Sequence, residues 1–106
     1  MIYGYSNTVL HPFKIVFDAH EVVVGGYNGN KDYVSHKFNY LEFSKVTLDV
    51  SKTLTIATGS GRILSEVLMH GAKKAQIEQV LREFQKHGKT VRLDEALYGL
   101  YSIDEG

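Results

Sequence analysis

The chain has 106 residues, with 12 basic and 12 acidic side chains that give a net charge of zero, and it contains no cysteine. Its length predicts a single domain, and the lack of cysteine excludes disulfide bonds, thiolate metal ligands and cysteine nucleophiles. Because the charges balance, no overall field would attract nucleic acid or an anionic membrane surface. No apolar run approaches the roughly 20 residues that cross a bilayer, and residues 1–10 lack the pattern of a secretion signal. We therefore expect a soluble, cytoplasmic domain.

The first part of the chain has the pattern of a β-hairpin followed by a third strand. Phe13, Ile15 and Phe17 recur at every second position, and three valines at 22–24 follow the mainly polar residues 18–21. This arrangement predicts two strands joined by a tight turn. Glycine and asparagine dominate residues 25–30 and predict a loop there.

The next strand leads into a nine-residue segment, 38–46, that carries the clearest fold signal. Val34, His36 and Phe38 occupy one face of the predicted strand. Within the segment, large apolar groups at Phe38, Phe43 and Val46 are separated by polar residues. This spacing predicts that a strand ends, makes one short irregular turn, and resumes as a strand.

Two further strands and one helix complete the predicted elements. Val46, Leu48 and Val50 alternate before a turn at 51–52, and strands are expected at 53–56 and 62–69 with a glycine-flanked turn between them. One helix then follows, ending at a glycine stop, Gly88. Its core-facing stripe has the spacing i, i+3, i+4 and i+7 and consists of Ile77, Val80, Leu81 and Phe84. An α+β fold results, in which the helix packs over a bent antiparallel sheet.

The segment after Gly88 admits three interpretations. Leu93, Leu97, Leu100 and Tyr101 have weak helical spacing, which the glycine at 99 interrupts. A short second helix, a tail docked on the body and a partner-binding segment are all compatible with this pattern.

The order of these elements, together with Phe38, Tyr40, Phe43 and Val46 in the nine-residue segment, resembles the pleckstrin-homology-like (PH-like) domains of bacteria. Asn39 stands where that family often has proline. The resemblance implies a strongly bent antiparallel sheet, or partly open barrel, of about six to seven strands capped by one C-terminal helix. It also implies an N-terminal extension at 1–12, the domain itself at 13–88, and a C-terminal tail at 89–106.

For function, the resemblance implies a non-enzymatic binding scaffold in a bacterium or phage, without a cofactor. Eukaryotic relatives bind phosphoinositides through basic residues around the first hairpin, by charge-assisted hydrogen bonds. Here that turn carries Asp18, Ala19, His20 and Glu21, and its two carboxylates would repel a phosphate. We therefore expect neither phosphoinositide binding nor membrane insertion.

The rival hypothesis is a small metal-dependent enzyme or metal-binding protein. Carboxylate and imidazole groups at Asp18, His20 and Glu21, with His36 as a further candidate, suit a borderline divalent ion. The five histidines otherwise lack metal-ligand spacing. Ser60 lacks the surroundings of a nucleophile elbow, so no catalytic constellation is assembled in the sequence.

A third hypothesis places nucleic acid on the basic face of the helix. The residues concerned are Lys73, Lys74, Arg82 and Lys86. Such binding would weaken steeply with salt, and the overall neutrality of the chain does not favour it.

Tyrosines supply the candidates for a protein interface. Exposed tyrosines offer an apolar ring and a hydrated hydroxyl, a combination typical of interfaces. A free sheet edge beside the loop at 25–32 would also permit strand-to-strand assembly. The working hypothesis is a module that binds protein, including a second copy of itself. The interface candidates are Tyr27, Tyr33, Tyr98, Tyr101, Leu97 and Leu100.

Overall fold

Eight strands and one α-helix make up the part of the chain that the computed structural model describes, residues 9–101 and 103. In chain order they are β1 (Val9–Leu10), β2 (Phe13–Phe17), β3 (Glu21–Tyr27), β4 (Tyr33–Asn39), β5 (Lys45–Leu48), β6 (Thr53–Ala57), β7 (Ile63–Leu68), α1 (Lys74–Lys86) and β8 (Thr90–Leu93), followed by a 3-10 turn at Glu95–Leu97. The predicted α+β class, with a partly open sheet and a C-terminal helix, is confirmed.

The strands form two sheets. The first has the order β2-β3-β4 and is antiparallel throughout, with β3 in the centre. The second has the order β1-β7-β6-β5-β8. Its central meander, β5-β6-β7, is antiparallel, whereas β1 and β8 are added at its two edges in parallel orientation.

Helix α1 closes the core with the predicted stripe. Ile77, Val80, Leu81 and Phe84 are buried, and a fully buried side chain of this size contributes about 1.5–3 kcal/mol. The Phe84 ring meets Phe17 of the first sheet edge-on, with centroids 4.9 Å apart, and meets Phe43 at 5.9 Å. The helix ends as predicted, because Gly88 adopts φ 81°, a left-handed conformation that favours glycine. This helix has 13 residues, and none in the described part of the chain is long and apolar enough to span a bilayer.

The nine-residue segment 38–46 has the predicted form of strand, turn and strand. Tyr40 and Phe43 are buried, whereas Leu41 between them is 93% exposed. The turn is held locally: the Asn39 side chain accepts a hydrogen bond from the Leu41 N–H at 2.9 Å, and the Glu42 carboxylate accepts from the Asn39 N–H at 3.3 Å.

The loop predicted at residues 25–30 is shorter than expected. Gly25 and Gly26 belong to β3, and the turn begins only at Asn28, whose side chain accepts hydrogen bonds from the backbone at 30 and 32. Glycine is required here by close packing, since a Cβ on Gly26 would lie 2.7 Å from the Pro12 carbonyl oxygen. A second difference concerns Val50, which lies in the β5-β6 turn and is exposed.

Both terminal segments contribute to the core. Leu10, in the predicted N-terminal extension, is almost fully buried. Beyond the helix, β8 pairs with β5, and Leu93, Leu97 and Tyr101 are buried. The described part of the tail is therefore docked on the body, and its helical content there is a single 3-10 turn of 3 residues.

Candidate functional site

Two of the predicted interface residues, Tyr27 and Tyr33, form a pair on the outer face of the first sheet. They lie opposite each other in the β3-β4 register, and their ring centroids are 5.3 Å apart at an interplanar angle of 74°. Both remain accessible, with exposed fractions of 47% and 54%. An edge-to-face aromatic pair of this kind is stabilising, so the hairpin presents a preformed aromatic surface.

The orientation of Tyr33 is determined by a glycine beneath it. A Cβ built on Gly25 would lie 2.5 Å from the Tyr33 hydroxyl oxygen and 3.2 Å from the ring carbon that carries it. The ring therefore extends across β3 into space that any other residue at 25 would fill. Restricting the ring before binding reduces the entropy that a complex must lose.

Strand β4 is the longest edge strand in the described residues, with 7 residues against 5 in β2, 4 in β8 and 2 in β1. One of its sides pairs with β3 over its whole length. Within residues 9–101 and 103, no strand pairs with its other side. The β2 strand is two residues shorter, and its Phe17 packs against Phe84 of α1.

The hydrogen-bonding pattern shows which residues of β4 have backbone N–H and C=O groups that point away from β3. The Tyr40 N–H donates to the His20 carbonyl at 3.3 Å, and the Asn28 N–H donates to the Asp32 carbonyl at 3.0 Å. Antiparallel pairs alternate between bonded and non-bonded, so the even-numbered residues of β4 bond to β3. The backbone groups of Tyr33, Ser35 and Lys37 consequently point away from β3.

The free edge is also partly apolar. On the inner face of β4, Val34, His36 and Phe38 are only half-buried, whereas Val22 and Val24 of the central strand are fully buried. An additional strand beside β4 would cover the exposed part of these side chains. His36 is held by a contact of 3.3 Å between its Nδ1 and the Ser65 hydroxyl.

A cleft of 660 Å³ lies next to the tyrosine pair. Tyr27 and Lys31 of the hairpin border it on one side, and Asp49, Thr53 and Glu66 of the second sheet border it on the other. The Asp49 carboxylate is already engaged in its own turn, where it accepts hydrogen bonds from the N–H groups at 51 and 53 at 2.9 and 3.0 Å. Asp49 therefore holds the β5-β6 turn, which forms part of the cleft wall.

The candidate metal ligands lie on the predicted tight turn between β2 and β3. Asp18 and His20 are exposed, and Glu21 is half-buried with its carboxylate 3.9 Å from the Lys37 ammonium. Among the described residues, no three histidine or carboxylate side chains are arranged to hold a metal ion. The turn instead has a structural partner, because the Tyr40 hydroxyl donates to the Asp18 carbonyl at 2.9 Å.

Tyr40 sits in a polar environment that alters its acidity. Burial raises the pKa of the Tyr40 phenol, and the nearby carboxylates of Glu83, Asp18 and Glu21 raise it further, against the hydrogen bond to Asp18. Its ring stacks on His87 with centroids 3.9 Å apart. These contacts tie the first hairpin to the end of the helix.

The basic residues of the helix are exposed but lie among carboxylates. Lys74 is 3.9 Å from Glu78, and Lys86 is 3.7 Å from Glu83. Such pairs reduce the positive potential that a nucleic acid would meet.

The predicted interface residues of the tail are divided between surface and core. Tyr98 and Leu100 are exposed, whereas Leu97 and Tyr101 are 6% and 8% exposed. The two buried side chains pack within this chain and are not offered to a partner.

No family model, curated protein or solved structure matches this chain.

Proposed function

We propose that this chain is a non-enzymatic, PH-like module that binds a protein partner by accepting an extended segment along the open edge of β4. The observation that carries the proposal is the row of outward-pointing backbone groups at Tyr33, Ser35 and Lys37, beside the exposed tyrosine pair. The cytoplasmic location and the bacterial or phage origin expected from the sequence belong to the same proposal.

The energetics of strand addition support binding of an extended segment at the edge of β4. Each of the three residues offers one N–H and one C=O, and an intramolecular hydrogen bond contributes about 0.5–1.5 kcal/mol net. Main-chain bonds of this kind give affinity when a strand is added to a sheet edge, and side-chain contacts give specificity. Tyr33 can supply a side-chain contact that gives specificity, because its ring is exposed and its orientation is set by Gly25.

The experiment compares two substitutions at one position. Ser35→Pro removes the outward N–H, and proline is tolerated on an edge strand where the lost N–H faces solvent. Ser35→Thr keeps the N–H and is the matched control. A thermal melt and a circular dichroism spectrum establish that both variants fold.

We expect affinity capture from host extract with the parent and with Ser35→Thr to recover the same protein, which Ser35→Pro fails to recover. Recovery of the same proteins with all three baits, each of them folded, would refute the β4 edge as the binding surface.

A further inference from the structure

The open edge of β4 has a pattern that is complementary to itself. The strand offers three outward residues at alternate positions, with a tyrosine at one end, a serine in the middle and a lysine at the other end. Both ends of this row are closed. At Asn39 the backbone N–H and C=O bond to Glu42, and at the other end Lys31 has φ 65°, which departs from an extended strand.

We infer that the segment occupying this edge is β4 of a second copy of the chain, running antiparallel about a twofold axis beside Ser35. This inference rests on the proposed function, to which it adds the identity of the partner. Two-fold dimers place the same surface patch of both subunits in contact, so the two strands must be complementary in register as well as in shape.

Only a register centred on Ser35 uses all three outward residues of both copies. In it, Ser35 faces Ser35 of the second copy and Tyr33 faces Lys37 of the second copy, which gives three bonded pairs and about six hydrogen bonds by the rules of an antiparallel sheet. A register centred on Lys37 would place two ammonium groups opposite each other, and like charges in this position are destabilising. Registers shifted towards Tyr33 require the irregular backbone of Lys31, and those shifted towards Lys37 also require the occupied backbone groups of Asn39.

The side chains agree with this register on both faces. On the outer face, Lys37 lies opposite Tyr33 of the second copy in the register, so no two like charges face each other across the axis. On the inner face, Val34 lies opposite His36 of the second copy, so the half-buried apolar strip is covered. The net charge of zero means that two copies do not repel each other at long range.

The test uses the absence of cysteine from the chain, which makes any introduced thiol unique. Ser35→Cys places two thiols opposite each other across the axis, within the range of Cα separations that a disulfide accepts. Lys37→Cys is the matched control on the same face. In the proposed register its two thiols are separated by four residues along the strands, about 14 Å at 3.4 Å per residue.

We expect Ser35→Cys in a glutathione redox buffer to form a disulfide-linked species of twice the 11.9 kDa chain mass, and Lys37→Cys to remain a single chain. Light scattering of the parent should show a mass that rises towards twice 11.9 kDa with concentration, and Ser35→Pro should abolish this rise. A disulfide in Lys37→Cys with none in Ser35→Cys would overturn the register.

A parent that stays at 11.9 kDa at every concentration, with neither variant crosslinked, would overturn the second copy as partner. If Ser35→Pro then still lost a different captured protein, the proposed function would stand and this inference would fail. If Ser35→Pro lost nothing, both would fail.

Discussion

Lys89 joins the end of the helix to the turn of the nine-residue segment, and its replacement by methionine tests how that turn is held. The Lys89 ammonium donates hydrogen bonds to the carbonyl oxygens of Tyr40 and Phe43, the second at 2.8 Å, and lies 4.8 Å from the centre of the Phe43 ring. Methionine preserves the length and apolar character of the side chain but cannot donate. Lys89→Met therefore removes the polar contacts and leaves most of the packing.

The expected loss follows from these contacts. Two hydrogen bonds from a charged donor contribute about 1.5–3 kcal/mol each, and a cation beside an aromatic ring contributes about 0.5–1 kcal/mol. The cost of burying the ammonium opposes them, and the same burial lowers the pKa of Lys89. Because the side chain is only half-buried and the two carbonyls can be hydrated in the variant, we expect a net loss of about 2–3 kcal/mol.

Urea unfolding measures this loss, with Lys86→Met as the matched control. If the free energy of unfolding falls by about 2 kcal/mol per molar urea, the midpoint of Lys89→Met should fall by about 1–1.5 M urea. Lys86 makes an exposed ion pair with Glu83, so its substitution should change stability by about 0.5 kcal/mol or less. Equal losses in the two variants, or no measurable loss in Lys89→Met, would refute the bridging role of Lys89.

Two further substitutions test the surroundings of the same turn. Phe43→Ala should lose about 3–5 kcal/mol in urea melts, since the ring is buried against Phe84; a loss below about 1 kcal/mol would contradict that burial. The pKa of Tyr40 is raised in the folded chain, so the unfolded chain loses the phenol proton at lower pH. The stability that the protonated phenol provides is therefore present below about pH 10 and is lost as the pH rises through the folded-state pKa. Melts between pH 8 and 11 should therefore show a shallower alkaline decline for Tyr40→Phe than for the parent, and parallel declines would contradict the raised pKa.

Periodicity predicted the elements whose side chains face a single core. The α1 stripe and the strands from β2 to β7 follow this rule, because alternate or i, i+3, i+4 positions are apolar and the residues between them are mostly polar, with exceptions such as Val16 and Val23. The prediction failed at the two edge strands of the second sheet. Strand β8 has only 4 residues and β1 only 2, and both acquire their conformation by pairing with β5 and β7, which are distant in sequence.

The candidate site was predictable only in part. The tyrosines and the free edge could be anticipated from composition and from the position of the hairpin. The pairing of Tyr27 with Tyr33 depends on the glycines remaining within β3, and glycine-rich sequence suggested a loop instead. The burial of Leu97 and Tyr101 agrees with one of the three interpretations of the tail, a docked tail, but the sequence alone could not select it, since it depends on the tail returning beside the body.

An open strand edge is a hazard as well as a binding site, because it can template indefinite pairing. Here only three residues of β4 are available, between the turn bonded by Glu42 and the irregular backbone at Lys31. Pairing of β4 with itself would occupy that edge in both copies at once. The strand at the opposite side of the sheet, β2, lacks the row of tyrosine, serine and lysine that β4 presents, so a third copy would find no equivalent surface. This edge therefore favours an assembly that closes at two copies over a growing fibre.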